Sequence, residues 1–114
     1  MKLITAVIKP SRLDAVLDAL KEAGATGATV SEVRGFGRQR GKTEVYRGAE
    51  YEVKLLPKVK VEVIAHSAIS ETVIEAIAVA ARTGKIGDGK LWVADLEQVM
   101  RIRTGEQDMQ AISE

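Results

Sequence analysis

Apolar and polar positions along the chain fall into six periodic segments. Residues 2–9 (KLITAVIK) form a β-branched apolar run that stops at Pro10, which lacks the N–H a ladder needs and restricts the residue before it; they predict a first strand. In SRLDAVLDALKEAG the spacing of Leu13, Val16, Leu17 and Leu20 predicts a helix, with Ser11 as N-cap, Asp14 three residues on, and Gly24 after the last turn. Residues 28–36 (ATVSEVRGF) read as a second strand. In KVKVEVIAH, Val59, Val61, Val63 and Ala65 alternate with Lys60, Glu62, Ile64 and His66, a third strand with one face for the core and one more polar face. SAISETVIEAIAVAARTG returns to helical spacing through Ile69, Val73, Ile74, Ile77, Ala78 and Ala81, with Ser70 as N-cap and Gly84 as the stop. LWVADLE supplies a fourth strand.

The order β-α-β, long connection, β-α-β predicts an α+β fold of the ferredoxin-like βαββαβ kind, a four-stranded antiparallel sheet with two helices on one face. A long mobile loop is expected between the second and third strands. The other sheet face is mixed, and the Ala-rich second helix has little bulk, so oligomerisation is expected to complete the burial.

With 114 residues the chain is expected to be one domain, 1–114. Apolar residues make up 46% and charged residues 29%, the range of folded soluble proteins. The 17 Lys and Arg nearly balance the 16 Asp and Glu, so no overall field draws the molecule to nucleic acid or an anionic membrane, and any anion site must be local. No cysteine is present, which removes disulfides and thiolate metal sites. The N-terminal apolar run is too short for a signal peptide or a membrane span, which makes a cytoplasmic protein the expectation.

Within TGKIGDGK (83–90) lies the spacing GxxxxGK. In P-loop nucleotidases that motif follows a strand, opens a helix and places Ser or Thr after the Lys. Here it follows a helix, opens a strand and Leu91 comes after Lys90, so an ATPase of that type is not expected. What survives is a loop in which Gly84, Gly87 and Gly89 let N–H groups converge on an anion while Lys85 and Lys90 add charge, although an ordinary helix-ending turn has the same composition. In VMRIRTGE, Arg101 and Arg103 alternate with Met100 and Ile102. Two arginines on one face of an extended segment could clamp phosphates, or could simply protect an exposed edge. The connection GFGRQRGKTEVYRGAEYEVKLLPK is far longer than a hairpin loop and carries Tyr46 and Tyr51, the latter between Glu50 and Glu52, where a ring suits a partner anchor or a modification site, or else both rings pack the loop onto the body. His66 has no second His and no Cys near it, so it reads as a strand-end histidine rather than a metal ligand, and no nucleophile triad can be assembled. A single-strand nucleic-acid module needs sheet aromatics for base stacking; the strands offer only Trp92 and Phe36.

Five blocks, KLITAVIKP, VRGFGRQRGKTEVYRGAEY, LPKVKVEV, RTGKIGDGK and RIRTGE, in order and without gaps, resemble the PII nitrogen-regulatory signal proteins over nearly the whole chain. The resemblance implies a homotrimer whose clefts between subunits bind ATP or ADP, with 2-oxoglutarate and Mg²⁺ alongside ATP. It implies nucleotide contacts by Thr29, Gly35, Gly37, Arg38, Gln39, Ile64, Gly87, Asp88, Gly89, Lys90, Arg101 and Arg103. Similarly, Gln39 would ligate Mg²⁺, Gln39 and Lys58 would hold 2-oxoglutarate, and Tyr51 would be reversibly nucleotidylated. The long loop would dock on targets such as an ammonium transporter, a nitrogen sensor kinase or a glutamine-synthetase-modifying enzyme, with a nucleotidyltransferase as a further partner. The resemblance implies no nucleic acid and no membrane except through a transporter. Ala49 stands where the cyanobacterial branch has a phosphorylated serine; Ser11, Lys42, Lys54 and Leu55 also depart from common members, and Lys42 and Lys54 change loop charge and hence partner choice rather than the ligand set.

Overall fold

In the computed structural model, which describes residues 1–37 and 55–113 in full and the backbone alone of 43–46 and 49–52, eight elements follow the predicted order with one insertion. Strand β1 (Lys2–Ile8) leads through a 3-10 turn at Pro10–Arg12 into helix α1 (Leu13–Glu22), followed by β2 (Thr29–Gly35). The connection expected to be a loop contains its own antiparallel ribbon, β3 (Thr43–Tyr46) paired with β4 (Ala49–Glu52), with Glu44 opposite Tyr51. Then come β5 (Leu56–Ala65), α2 (Ser70–Ala81), β6 (Gly89–Asp95) and a closing 3-10 turn at Asp108–Ile112.

The four long strands form one antiparallel sheet in the order β2-β5-β1-β6, the ferredoxin-like arrangement. Register follows from the alternation in the sequence. Ile4, Ala6 and Ile8 of β1 share a face with Val59, Val61, Val63 and Ala65 of β5, and Val16, Leu20, Val73, Ile77 and Ala81 of the two helices close over it as a single core. Ile77 is fully buried there, so truncation to Ala would cost about 2–5 kcal/mol. On the opposite face stand Val7, Lys58, Lys60, Ile64, Lys90 and Trp92, the mixed surface that the sequence pattern predicts.

The helix ends differ in detail from expectation. Neither serine caps a helix. Ser11 lies inside the 3-10 turn, Arg12 occupies the N-cap of α1, and no side chain caps it. Ser70 is already helical, and its hydroxyl donates to the Ser67 carbonyl at 3.0 Å. Gly24 does stop α1: at φ +92° it makes the paired bonds Ala25 N–H to Leu20 O and Gly24 N–H to Lys21 O that define a Schellman end. Helix α2 ends at Ala81, three residues before Gly84, because Arg82 turns extended. The carbonyl of Ala80 is then satisfied by two bonds from the Arg12 guanidinium, at 2.9 and 2.7 Å. The fourth strand starts at Gly89 rather than Leu91, which moves Gly89 and Lys90 out of the loop and into β6.

A cationic cleft beside the glycine loop

The loop joining α2 to β6 is built around one carboxylate. Asp88 accepts the backbone N–H groups of Thr83 and Gly84 at 2.8 and 2.9 Å and the Thr83 hydroxyl, and Lys9 reaches it at 3.2 Å. These bonds, the Thr83 hydroxyl foremost, hold the Asp88 carboxyl well below the usual carboxylate range. The nest of N–H groups expected at the start of this loop is therefore filled by the chain's own anion. An external anion would have to be met further on in the loop, beyond Lys85, whose N–H is also taken, by the Thr83 hydroxyl. Gly87 and Gly89 both take positive φ, and at Gly89 this is compulsory: a Cβ would lie 1.8 Å from the Val7 carbonyl oxygen of β1. The element order around the loop, helix before and strand after, is the reverse of a P-loop.

Next to this loop is a cleft of about 460 Å³, within the range of small-molecule sites. Its walls bring together Gly35, Gly37, Lys58, Gly87, Asp88, Gly89 and Lys90, seven of the residues the resemblance implies. Lys85 adds a further cation, and the exposed apolar surfaces of Phe36, Ile86 and Trp92 face the same space. With Asp88 engaged by the loop, Lys58, Lys85 and Lys90 leave the cleft net positive. Lys58 donates to the Gly87 carbonyl at 2.8 Å, and its pKa is lowered by burial and then by the charge of Lys9, with Asp88 acting the other way. Such a cleft can take a polyanion on its cationic side and a flat apolar ring on its other side.

The remaining predicted residues are not in this cleft. Thr29 is at the opposite end of β2 from Gly35, and Ile64 at the opposite end of β5 from Lys58. At about 3.3 Å per residue each lies roughly 20 Å away along its strand. The segment carrying Arg101 and Arg103 is not extended, as the alternation suggested, but a tight turn. Arg101 N–H bonds to the Glu106 carbonyl and Gly105 N–H to the Arg101 carbonyl, both at 2.8 Å, with Gly105 at φ +74° and a bridge between Met100 and Gln107. The Arg101 guanidinium is bound to Glu106 and to the Gln110 carbonyl, each at 2.8 Å, so the two arginines do not form a free pair within one chain. Thr26 donates to the Ile112 carbonyl at 2.7 Å, which ties this segment to the Thr29 end of the sheet. Arg38 and Gln39 lie outside the described residues, as does the side chain of Tyr51. His66 follows β5, and its Nδ1 accepts the Ala68 N–H at 3.0 Å, the strand-end role expected of it.

Sequence reasoning missed Lys9 and the hydroxyl of Thr83 as partners of Asp88, and Val7, Leu56 and Ile86 as cleft walls. Thr83 opens the quoted glycine stretch, but nothing in the spacing reveals that Lys9 folds back onto it. No group of three or more His, Asp or Glu that could hold a metal occurs among the described residues. A divalent cation here would need ligand oxygens from a bound phosphate, the mode magnesium favours.

Comparison with known proteins points one way. The sequence matches, over residues 1–106, the family model described as "Nitrogen regulatory protein P-II". It is 60% identical over 112 residues to the nitrogen regulatory protein P-II of Rhizobium meliloti (strain 1021) and 59% identical to that of Mesorhizobium japonicum. It is 58% identical to nitrogen regulatory protein P-II 1 of Escherichia coli (strain K12). Each alignment covers 98% of this chain and 100% of the relative.

Proposed function

Since the chain belongs to the nitrogen regulatory protein P-II family, whose role is regulatory, we propose that it is a non-catalytic sensor of ATP or ADP and of 2-oxoglutarate, acting as a homotrimer. The observation that carries this is the cleft, where Gly87–Lys90, Lys58 and Lys85 meet Gly35 and Gly37 at the base of the long connection. Lys85 and Lys90 would bind the phosphates, with the backbone at Ile86 and Gly87 close by. Phe36 and Trp92 offer apolar surface to a ring. Gln39 would supply an amide oxygen to Mg²⁺, whose other ligands come from phosphate and the keto acid. Lys58 would pair with a 2-oxoglutarate carboxylate and, in doing so, exchange its bond to the Gly87 carbonyl.

The location of the other predicted residues supports assembly. Thr29, Ile64, Arg101 and Arg103 belong to the far end of the sheet, so in an assembly one chain would supply two half-sites to two different neighbours. A closed ring of copies would join each cleft to the far end of the next chain. Residues 38–54 would carry the signal from the cleft to an ammonium transporter, a sensor kinase or a glutamine-synthetase-modifying enzyme, with Tyr51 as the nucleotidylation site. Titration calorimetry with ATP tests the reading. The wild type should bind, and Lys90→Ala should lose about 1.5–3 kcal/mol of binding free energy, the worth of a charge-assisted bond. A wild type that does not bind ATP overturns the reading.

A further inference from the structure

The glycine loop has a conformational problem that its own sequence does not solve. Gly84 and Gly87 sit at φ +84° and +102°, so the segment has access to many backbone shapes, whereas a phosphate site needs one. In this chain the shape is imposed from outside. Lys9, directly beyond β1, donates to the Thr83 hydroxyl oxygen at 3.0 Å and pairs with Asp88 at 3.2 Å. The Thr83 hydroxyl also receives the Lys85 N–H at 3.3 Å and donates to Asp88, so one oxygen joins the sheet cation, the loop backbone and the loop carboxylate. Both charged side chains are mostly covered, at 19% and 24% exposure, which limits screening of the pair by solvent.

We infer that Lys9 and Thr83 are positioning residues for the nucleotide, which through the Asp88 carboxylate lock the loop so that Ile86, Gly87 and Lys90 meet the phosphates. The inference rests on the nucleotide reading of the cleft. Lys9 touches no ligand in this account; it fastens the loop to the C-terminal end of β1, the strand whose Val7 carbonyl already fixes Gly89. The latch also sets local charge, because Asp88 neutralises one of two neighbouring cations, Lys9 and Lys58, ahead of any anionic ligand.

Two measurements on the full-length protein decide it. In ATP calorimetry, Lys9→Met and Thr83→Val should bind about five- to tenfold more weakly than wild type, while Lys9→Arg and Thr83→Ser should recover most of the affinity. Wild-type affinity in Lys9→Met and Thr83→Val overturns the inference, and so do rescue variants as weak as the deletions. Amide exchange without nucleotide is the second. Thr83 and Gly84 N–H should be protected in the wild type and exchange about tenfold or more faster in Lys9→Met and Asp88→Ala. Unchanged exchange overturns the latch. A wild type that fails to bind ATP removes the nucleotide reading, while the exchange data still decide whether the latch exists.

Discussion

Gly89 looks from the sequence like a residue that lets backbone approach an anion, and the structure gives it a stricter duty. Its φ of +99° and the Val7 carbonyl leave no place for a side chain. Gly89→Ala should therefore destabilise by at least about 2 kcal/mol, from backbone strain plus a clash with main chain that cannot swing aside. Urea melts at matched protein concentration check this; an unchanged midpoint contradicts the packing described for β6. Asp88 makes a prediction about pH. Its folded-state pKa is depressed below the ordinary 3.8, so its contribution to stability is fully present above that value. It is lost as the pH falls from 3.8 towards the folded-state pKa. The stability gap between wild type and Asp88→Asn should thus be flat above about pH 5 and narrow steadily in more acidic solution. A gap that grows on acidification contradicts the hydrogen-bond set around this carboxylate. None of this was legible in TGKIGDGK alone, since the partner that orders the loop, Lys9, is at the other end of the chain.

At the scale of elements, periodicity and the Gly24 C-cap were reliable guides and the serine N-cap pattern was not. The stripes Val16/Leu20 and Val73/Ile77/Ala81 and the alternation Val59–Ala65 are buried as predicted, because side-chain direction follows from helix and strand geometry alone. Ser11 and Ser70 matched a cap pattern, yet the chain enters α1 through a 3-10 turn and the Ser70 hydroxyl turns to Ser67. Ser11→Ala should therefore change stability by less than about 0.5 kcal/mol, against about 1 kcal/mol for a working N-cap. Gly24→Ala should cost about 1 kcal/mol, from backbone conformation only, since the nearest atom to an added Cβ is Ile69 Cδ1 at 4.0 Å. Chemical denaturation of the two variants separates these cases. A Ser11→Ala loss as large as that of Gly24→Ala contradicts the entry turn. The ribbon β3–β4 escaped sequence reading because its strands are only four residues each and have no apolar alternation long enough to stand out.

For the whole molecule the question is how the two proposed half-sites would become one sensor. The cleft residues were legible as glycines and lysines, but their separation from Thr29, Ile64 and the Arg101 turn was not. Distance along a sheet is a property of register rather than of composition. The turn at Arg101–Glu106 also shows why an alternating RIR does not form the extended segment that its pattern suggests, since the salt bridge and Gly105 fold it back within five residues. If neighbouring copies supply the second half-site, Arg103→Ala should weaken ATP binding while leaving the fold of each chain intact, since no core residue contacts depend on it. Lys58, bonded to the Gly87 carbonyl, would link the proposed keto-acid position to the proposed nucleotide position within one chain. The central claim is that these two ligands are sensed together, and calorimetry of 2-oxoglutarate binding with and without ATP and Mg²⁺ tests it most directly. Tight binding should appear only when ATP and Mg²⁺ are present; 2-oxoglutarate binding undiminished in their absence would contradict the account.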